Sequence, residues 1–408
     1  MEVVYRCCCG IDVHKSLIVA CLRRGGKQEL REFGTMTCEI KALASWLSEA
    51  GCEMAAMEST GSYWKPLYNL FELLNLDAII VNAAHMKAVP GRKTDVKDAE
   101  WIADLLQHGL LRASFVPDRA QRELRELTRY RKSIIEERSR ELNRLQKVLE
   151  GANIKLGSVI KDIQGKSARR LLERLAAGEP LDDCGEITKL LHHSLLPKLD
   201  EIMASLDGII TPLQRELLAQ ILDHISDLDQ RIHKLDGMAE AYMTQAQPDI
   251  VELCRMPGIG QRSAEVILAE IGTDMSRFPS SAHLCSWAGV CPGNHKSAGK
   301  RYHGRTRKGN PTLKSMLVQC DKSASRSKGS YFSAQYQRIA ARRGKNRAAM
   351  AVAHSMLIAI YHMLKNKVPF RDLGADYFDG FYREHKIRSY LKRLQALGWE
   401  PNASPASI

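Results

Sequence analysis

Two aspartates open one helical stretch of this chain: in "GRKTDVKDAEWIADLL", which begins at Gly91, Asp95 and Asp98 stand three residues apart. At 3.6 residues per turn, positions three apart lie about 60° apart around a helix, so both carboxylates point the same way. Acids in a first turn can serve simply to answer the helix macrodipole, each worth roughly 0.3–1 kcal/mol. Two further acids change the weighing. Asp12 lies inside the apolar stretch "CCCGIDV", where a lone charge is costly to bury unless it is paired or bound to a cation. Glu58 closes another apolar stretch, "AAMEST". Four hard carboxylate donors brought together suit Mg2+ or Mn2+, and a pair of such ions stabilises the attacking and leaving oxygens of phosphoryl transfer.

The elements that would bring these acids together are legible in the hydrophobic pattern. "RCCCGIDV", "SLIVACLRR" and "ELREFGTM", split by His14-Lys15 and Gly25-Gly26, predict consecutive strands joined by tight turns. "EIKALASWLSEAG" changes to helical spacing and ends at Gly51, "CEMAAMES" is a buried strand, and "YWKPLYNLFELLN" is helical with Pro66 near its start. "DAIIVNAA" is a last strand, and the helix opening at Asp95 closes the unit. Three strands, helix, strand, helix, strand, helix is an α/β domain, residues 1–117, with helices packed on a mixed sheet.

Residues 118–247 read as a helical, coiled-coil region. One pattern, from Asp118 to Gly151, places Leu124, Leu127, Ile134, Leu142, Leu145 and Leu149 on one side, and a second, from Pro212 to Gln245, aligns Leu217, Ile221, Ile225, Leu228, Ile232 and Leu235. Two such helices predict an antiparallel hairpin, a dimer interface, or both. A mainly helical domain follows over 248–370. Its "VELCRMPGIGQRSAEVILAEIG" is helix, glycine turn, helix, a helix-hairpin-helix-like element in which Gly258 and Gly260 could offer backbone N–H groups to a phosphate. A glycine turn can equally be a plain helix stop. Lys296, Lys300, Arg301, Arg305, Arg307 and Lys308 then crowd a glycine-rich stretch, and Arg342 and Arg343 begin "RRGKNR". The tail, 371–408, ends in the frayed-looking "PNASPASI".

In 408 residues, 60 Lys and Arg face 47 acids, a formal charge of +13. An excess of that size points to a polyanionic partner, nucleic acid first. No apolar run approaches the ~18 residues of a membrane span, and "MEVVYRCCCG" lacks the layout of a signal peptide, so a cytoplasmic protein without membrane contact is expected. The 11 cysteines include no CxxC and read as small apolar residues of a reducing compartment. Cys285, Cys291, His295 and His303 fit no standard zinc spacing.

"GIDVHK", "MESTGSYW", "GRKTDVKDAEWIADLL", "RMPGIGQRSAEVILAEIG" and "GVCPGNHKSAGKRYHGRTRKGNPTLK", in that order between Cys9 and about Leu364, resemble the DEDD transposases of the insertion sequence 110 family. The resemblance implies a RuvC-like N-terminal domain of ribonuclease H fold, with a metal-binding catalytic tetrad at Asp12, Glu58, Asp95 and Asp98. It further implies a nucleophilic serine in the basic segment, which by position is Ser297. Such a serine would store the energy of a broken phosphodiester in a phosphoserine ester, with the surrounding Lys and Arg holding the phosphate. From the residues alone, Ser280, Ser281 and Ser315 are nearly as eligible. The family also implies a bacterial recombinase that exchanges donor and target DNA as a homo-oligomer, dimer or tetramer. A structured bridge RNA would guide it, and the acidic site of one protomer would be completed by the serine of another. Two other readings compete: a RuvC-like Holliday junction endonuclease whose acids activate water, and a non-catalytic DNA-binding protein whose acids are caps.

Overall fold

The computed structural model describes residues 2–59, 61–82, 96–292, 296–297, 300–301, 306 and 308–399, with backbone alone at 96–97, 296–297, 300–301, 379, 381–382 and 384–386. Strands β1 (Cys7–Val13), β2 (Leu17–Arg24) and β3 (Lys27–Gly34) form an antiparallel meander. Its second turn needs positive φ at both Gly25 (57°) and Gly26 (78°), which glycine adopts at little cost. Helix α1 (Thr37–Glu49) leads to β4 (Met54–Glu58), α2 (Trp64–Leu73) to β5 (Ala78–Val81), and α3 (Val96–Gln107) follows. This is the order that the periodicity predicts. The sheet order is β3-β2-β1-β4-β5, with β4 parallel to both β1 and β5, so only β2 runs against the rest.

Strand β1 is buried along its whole length because both faces of the sheet are covered. Cys9, Ile11 and Val13 point to the side of α1 and α2 and share a core with Leu43, Leu47, Leu67 and Phe71. Cys8 points the other way, with Ala56 and Val81, onto Ile102 and Leu106 of α3. On that face a Cβ at Gly10 would lie 2.2 Å from the Ala103 nitrogen and 2.3 Å from the Ala99 carbonyl oxygen. The helix therefore rests backbone to backbone on the strand.

Residues Met1–Arg119 and Ala120–Ile408 are separate compact units. The second begins with α4 (Arg119–Gly151, 33 residues). Between 152 and 211 lie α5 (Leu156–Val159), α6 (Lys166–Ala177), α7 (Cys184–Leu190) and α8 (Leu199–Leu206). Helix α9 (Pro212–Tyr242, 31 residues) opens with a Thr211–Gln214 capping box and Pro212 in its first turn. The pairs Arg131–Asp236, Arg138–Asp229 and Glu141–His224 show α4 and α9 running antiparallel, since one number rises as the other falls. The expected hairpin is thus present within one chain. Its stripe differs at one end: Leu218 and Leu222 are buried, whereas Leu217 is 44% exposed. Spacings of four and three through 218, 222, 225 and 228 hold one face, while 217, 221 and 225 drift around the helix.

The unit continues with α10 (Gln247–Cys254), α11 (Gln261–Ile271), α12 (Ser281–Ala288), the short pair β6 (Lys296–Ser297) and β7 (Lys300–Arg301), α13 (Pro311–Ala324), α14 (Tyr331–Arg343), α15 (Lys345–Asn366) and α16 (Tyr377–Ala396), the last lying in the expected tail. Contrary to the expectation that no stretch reaches the length of a span, α15 is long and apolar enough by length and composition. Ser355 and His362 interrupt its apolar run without polarising the helix as a whole. Half of it is buried, and Val352, Met356, Leu357 and Ile360 are core residues of this unit.

One buried carboxyl in this core has no compensation. Asp321 of α13 is 0% exposed, and neither carboxylate oxygen has a hydrogen-bond partner among the described residues. Burial pushes its pKa from the ordinary value near 4 up to about 6, against a smaller opposing pull from Lys322.

Two predictions follow from this packing. Gly10→Ala forces α3 off the sheet and is expected to lower unfolding stability by roughly 1–3 kcal/mol or more, read from urea denaturation of the full chain. For Asp321, the folded chain keeps a proton that the unfolded chain releases between about pH 4 and pH 6, so stability falls across that window as pH rises and stays lowered above it. Asp321→Asn removes that loss. Its stabilising effect should be about 2–3 kcal/mol larger at pH 8 than at pH 4 by denaturant titration.

Candidate active site

The parallel register Ile11↔Met57 puts Asp12 beside Glu58 one residue further on, at the carboxyl ends of the two central strands. Side chains at matching positions of neighbouring strands share a face, and parity assigns both acids to the face covered by α3. Asp12 is 7% exposed. Helix α3 runs opposite to β1: Val4 N–H donates to the Gln107 carbonyl at 2.8 Å, and Cys8 Sγ lies 3.8 Å from the Ala103 oxygen. Its N-terminal end therefore reaches the Asp12 end of the strand. Asp98 stands in its first turn, with Oδ1 shielded from solvent. Arg23 of β2 pins the other half by an ion pair to Asp104 and a 3.0 Å hydrogen bond to Gln107 Oε1. Asp95, immediately before the helix, lies outside the described residues.

A fifth side chain joins this end of the sheet. His14 Nε2 lies 3.0 Å from Asp12 Oδ2, with the imidazole half-exposed. Period-two alternation from Asp12 puts residue 14 on the same face, so "DVH" carried the signal, although the histidine was read only as a turn residue.

Carboxylate oxygens are the hard donors that Mg2+ and Mn2+ prefer, and the pair at Asp12 and Glu58 fits such an ion chemically. Among the described residues, no three His, Cys, Asp or Glu side chains are grouped closely enough to hold a metal.

In the second unit, β6 and β7 pair with Ser297 opposite Lys300 and Lys296 opposite Arg301. The side chains of these four residues, and all of Arg305 and Arg307, lie outside the described residues. The rival serines have other duties. Ser280 caps α12 by accepting from His283 N–H, and its hydroxyl lies 2.8 Å from His283 Nδ1. Ser281 opens that helix, and Ser315 accepts from Lys132 Nζ at 3.1 Å. Cys285 is buried, and that burial pushes its thiol up to about 12, while His295 and His303 lie outside the described residues.

Lys308, Arg342 and Arg343 are exposed. The two glycines of the helix-turn-helix differ. Gly258 has φ 87°, and a Cβ there would lie 2.3 Å from the Cys320 carbonyl oxygen, so it is a packing residue against α13. Gly260, with open space around it, precedes α11 and lines a cavity of about 500 Å3 together with Asp236, Glu240 and Glu265. Arg262 at the same cavity is already paired with Asp236. Glu265 there pairs with Arg131, so the surroundings of the turn carry both signs of charge.

A family profile of the DEDD transposases of IS110, described as a transposase, matches residues 9–154, and one described as the transposase IS116/IS110/IS902 family matches residues 251–337. The "Insertion element IS110 uncharacterized 43.6 kDa protein" of Streptomyces coelicolor is 30% identical over 245 residues, 55% of this chain and 59% of that protein. The "Probable family 20 transposase" of Pseudomonas aeruginosa is 23% identical over 368 residues, 89% of this chain and 94% of that protein. An IS116 protein of Streptomyces clavuligerus, described as an uncharacterized 44.8 kDa protein, is 27% identical over 248 residues, 54% of this chain and 61% of its own length. The matched stretch thus spans less than two thirds of the two Streptomyces relatives and nearly all of the Pseudomonas one. The first profile covers the sheet with its acids and the second covers the glycine turn and basic loop; the chain belongs to the IS110 family of DEDD transposases.

Proposed function

We propose that this protein is a transposase that works as a site-specific DNA recombinase, with a RuvC-like acidic site and a serine nucleophile. The register that sets Asp12 beside Glu58 on the face of α3 carries this reading. A DNA-binding protein has no need for two carboxylates side by side on the central strands of a buried sheet. Asp12, Glu58, Asp95 and Asp98 would hold Mg2+ or Mn2+, which when bound supplies a Lewis acid for the scissile phosphate. The chain's own part is to orient Asp12, which the His14 contact favours, and to fix the first turn of α3 over it. Ser297 Oγ forms the new phosphorus–oxygen bond as the sugar oxygen leaves, and the hydroxyl proton ends on that oxygen. The reverse attack rejoins strands without ATP. Lys296, Lys300, Arg301, Arg305, Arg307 and Lys308 neutralise the phosphates around it, and Arg342 and Arg343 extend the basic surface.

The donor and target strands, the bridge RNA that guides them, a homo-oligomeric assembly and a cytoplasmic setting in bacteria belong to the same proposal. They are supported by the family resemblance and by the charge of +13.

The test incubates the protein with Mg2+, the element's flanking non-coding RNA and labelled donor and target DNA, and resolves the products on a denaturing gel. Asp12→Ala and Asp98→Ala are expected to lose cleavage by more than the roughly 10–100-fold that removal of an outer-sphere partner costs. DNA binding, followed by mobility shift, should persist. Ser297→Ala should lose the protein-linked DNA. Nicked DNA without an adduct, unchanged in Ser297→Ala, would make the protein a metal-dependent junction nuclease instead.

A further inference from the structure

Helix α11 ends against α4 through one carboxylate. Glu270 is 0% exposed, and its oxygens accept from Arg129 Nε at 2.7 Å and Nη2 at 2.8 Å. Asn310 Nδ2 adds a third bond, to Oε2, at 2.6 Å. One turn earlier on α4, Arg125 donates to the Ala269 and Glu270 carbonyls, and its guanidinium lies 5.6 Å from the Trp287 ring centre. A carboxylate without solvent is tolerated only when charge-assisted bonds of this kind satisfy it. Arg125 Nε also lies 3.5 Å from Oε2, so removing one partner weakens the joint and leaves the buried charge less well paired.

Asn310 holds a second post. Its Oδ1 accepts from Leu313 N–H at 3.1 Å and so caps α13, while its own N–H donates to the Trp287 carbonyl at 3.2 Å. It also stands at the exit of the segment that contains β6, Ser297 and β7. The feet of that segment are fixed close by. A Cβ at Gly309 would lie 2.4 Å from the Gly289 nitrogen, Pro292 forms a β-bridge with Thr306, and Lys314 Nζ donates to Thr306 Oγ1 at 2.5 Å. Glu270 ties this stem to the long helix by direct hydrogen bonds to Asn310 and Arg129, beside the Arg125–Trp287 and Lys132–Ser315 contacts.

We infer that Glu270 is a positioning residue for the serine-bearing hairpin: by binding Asn310 and Arg129 together, it makes the placement of Ser297 follow the placement of α4. The inference rests on Ser297 being the nucleophile. It adds that Arg129 acts on the hairpin through Glu270. An oligomer that shifts α4 would thereby shift the nucleophile, and a displacement of about 1 Å is enough to cost on the order of 10²-fold in rate.

Asn310→Ser tests this, because serine caps a helix about as well as asparagine but is too short to reach Glu270. Arg129→Lys keeps the charge and loses the two-pronged grip. Both are made in the full chain, and amide exchange over 290–309 is followed by mass spectrometry alongside adduct formation at saturating DNA. Exchange there should rise about tenfold in both variants, with the amides of α13 beyond its first turn unchanged. Adduct formation should slow roughly 10–100-fold while the DNA Kd stays within about twofold. Wild-type exchange over 290–309 in either variant overturns the inference, and so does faster exchange spread evenly over the whole unit. The exchange readout does not depend on the chemistry. If the wild-type adduct survives Ser297→Ala, the nucleophile assignment fails, while the exchange data still decide whether Glu270 holds the hairpin.

Discussion

The absence of a side chain at Gly10 governs the acidic site. Because nothing stands between β1 and the backbone at Ala99 and Ala103, α3 lies on the sheet at the distance two backbones allow. Alanine at both helix positions keeps that approach open, and Ile102 and Leu106 fill the space to one side over Cys8, Ala56 and Val81. The helix cannot slide along the strand without losing the Val4–Gln107 and Arg23–Asp104 contacts at its far end. Its first turn is thus fixed at the end of β1 where the register has already placed Asp12 beside Glu58. Asp12 and Glu58, 46 residues apart, are set side by side by strand register, and apolar packing carries the first turn of α3, with Asp98, to the same end of the sheet.

The positive charge of the chain is less available than its sum suggests. Arg131 is 2% exposed and lies between Asp236 at 3.0 Å and Glu265 at 2.6 Å, inside the pairing of α4 with α9 and α11. Arg125, Arg129 and Arg138 are likewise held by carboxylates or carbonyls of their own unit. These groups hold the helices of the unit to one another, the Glu270 pair in a fully buried setting. Among the described residues, Lys308 and the cluster of Arg342, Arg343, Lys345 and Arg347 around the α14–α15 junction are exposed.

The first unit was readable because its sheet is simple: each strand is a short apolar run, each helix a change of period, and the turns are glycines. Asp12 and Glu58 were readable for a related reason, as acids at the ends of runs that should otherwise be apolar. The phase of α9 was misread only where leucines crowd, at Leu217, Leu218 and Leu222, since two overlapping spacings are available there. Glu270 and Asn310 gave no such signal. A glutamate in the last turn of a helix and an asparagine before Pro311 look like a surface charge and a helix cap, and Arg129, which Glu270 also holds, is 141 residues from Glu270 in sequence. Buried polar joints between distant segments leave no periodicity to detect.

The glycine turn before α11 shows how one pattern can serve two purposes. A helix start with free N–H groups attracts an anion, which is why the sequence suggests a phosphate there. In the fold, the cavity beside Gly260 is lined by Asp236, Glu240 and Glu265, of which Asp236 and Glu265 pair with Arg131. Arg262, the nearest cation of the turn, is spent on Asp236. Gly258, which a phosphate-binding turn would hold open, instead lies backbone to backbone on α13 at Cys320 and Ala324. The same sequence therefore makes a joint that presses α11 onto α13 and fixes its start beside α9. Glu270 at the end of α11 and Asn310 at the start of α13 then join the two helices at their other ends.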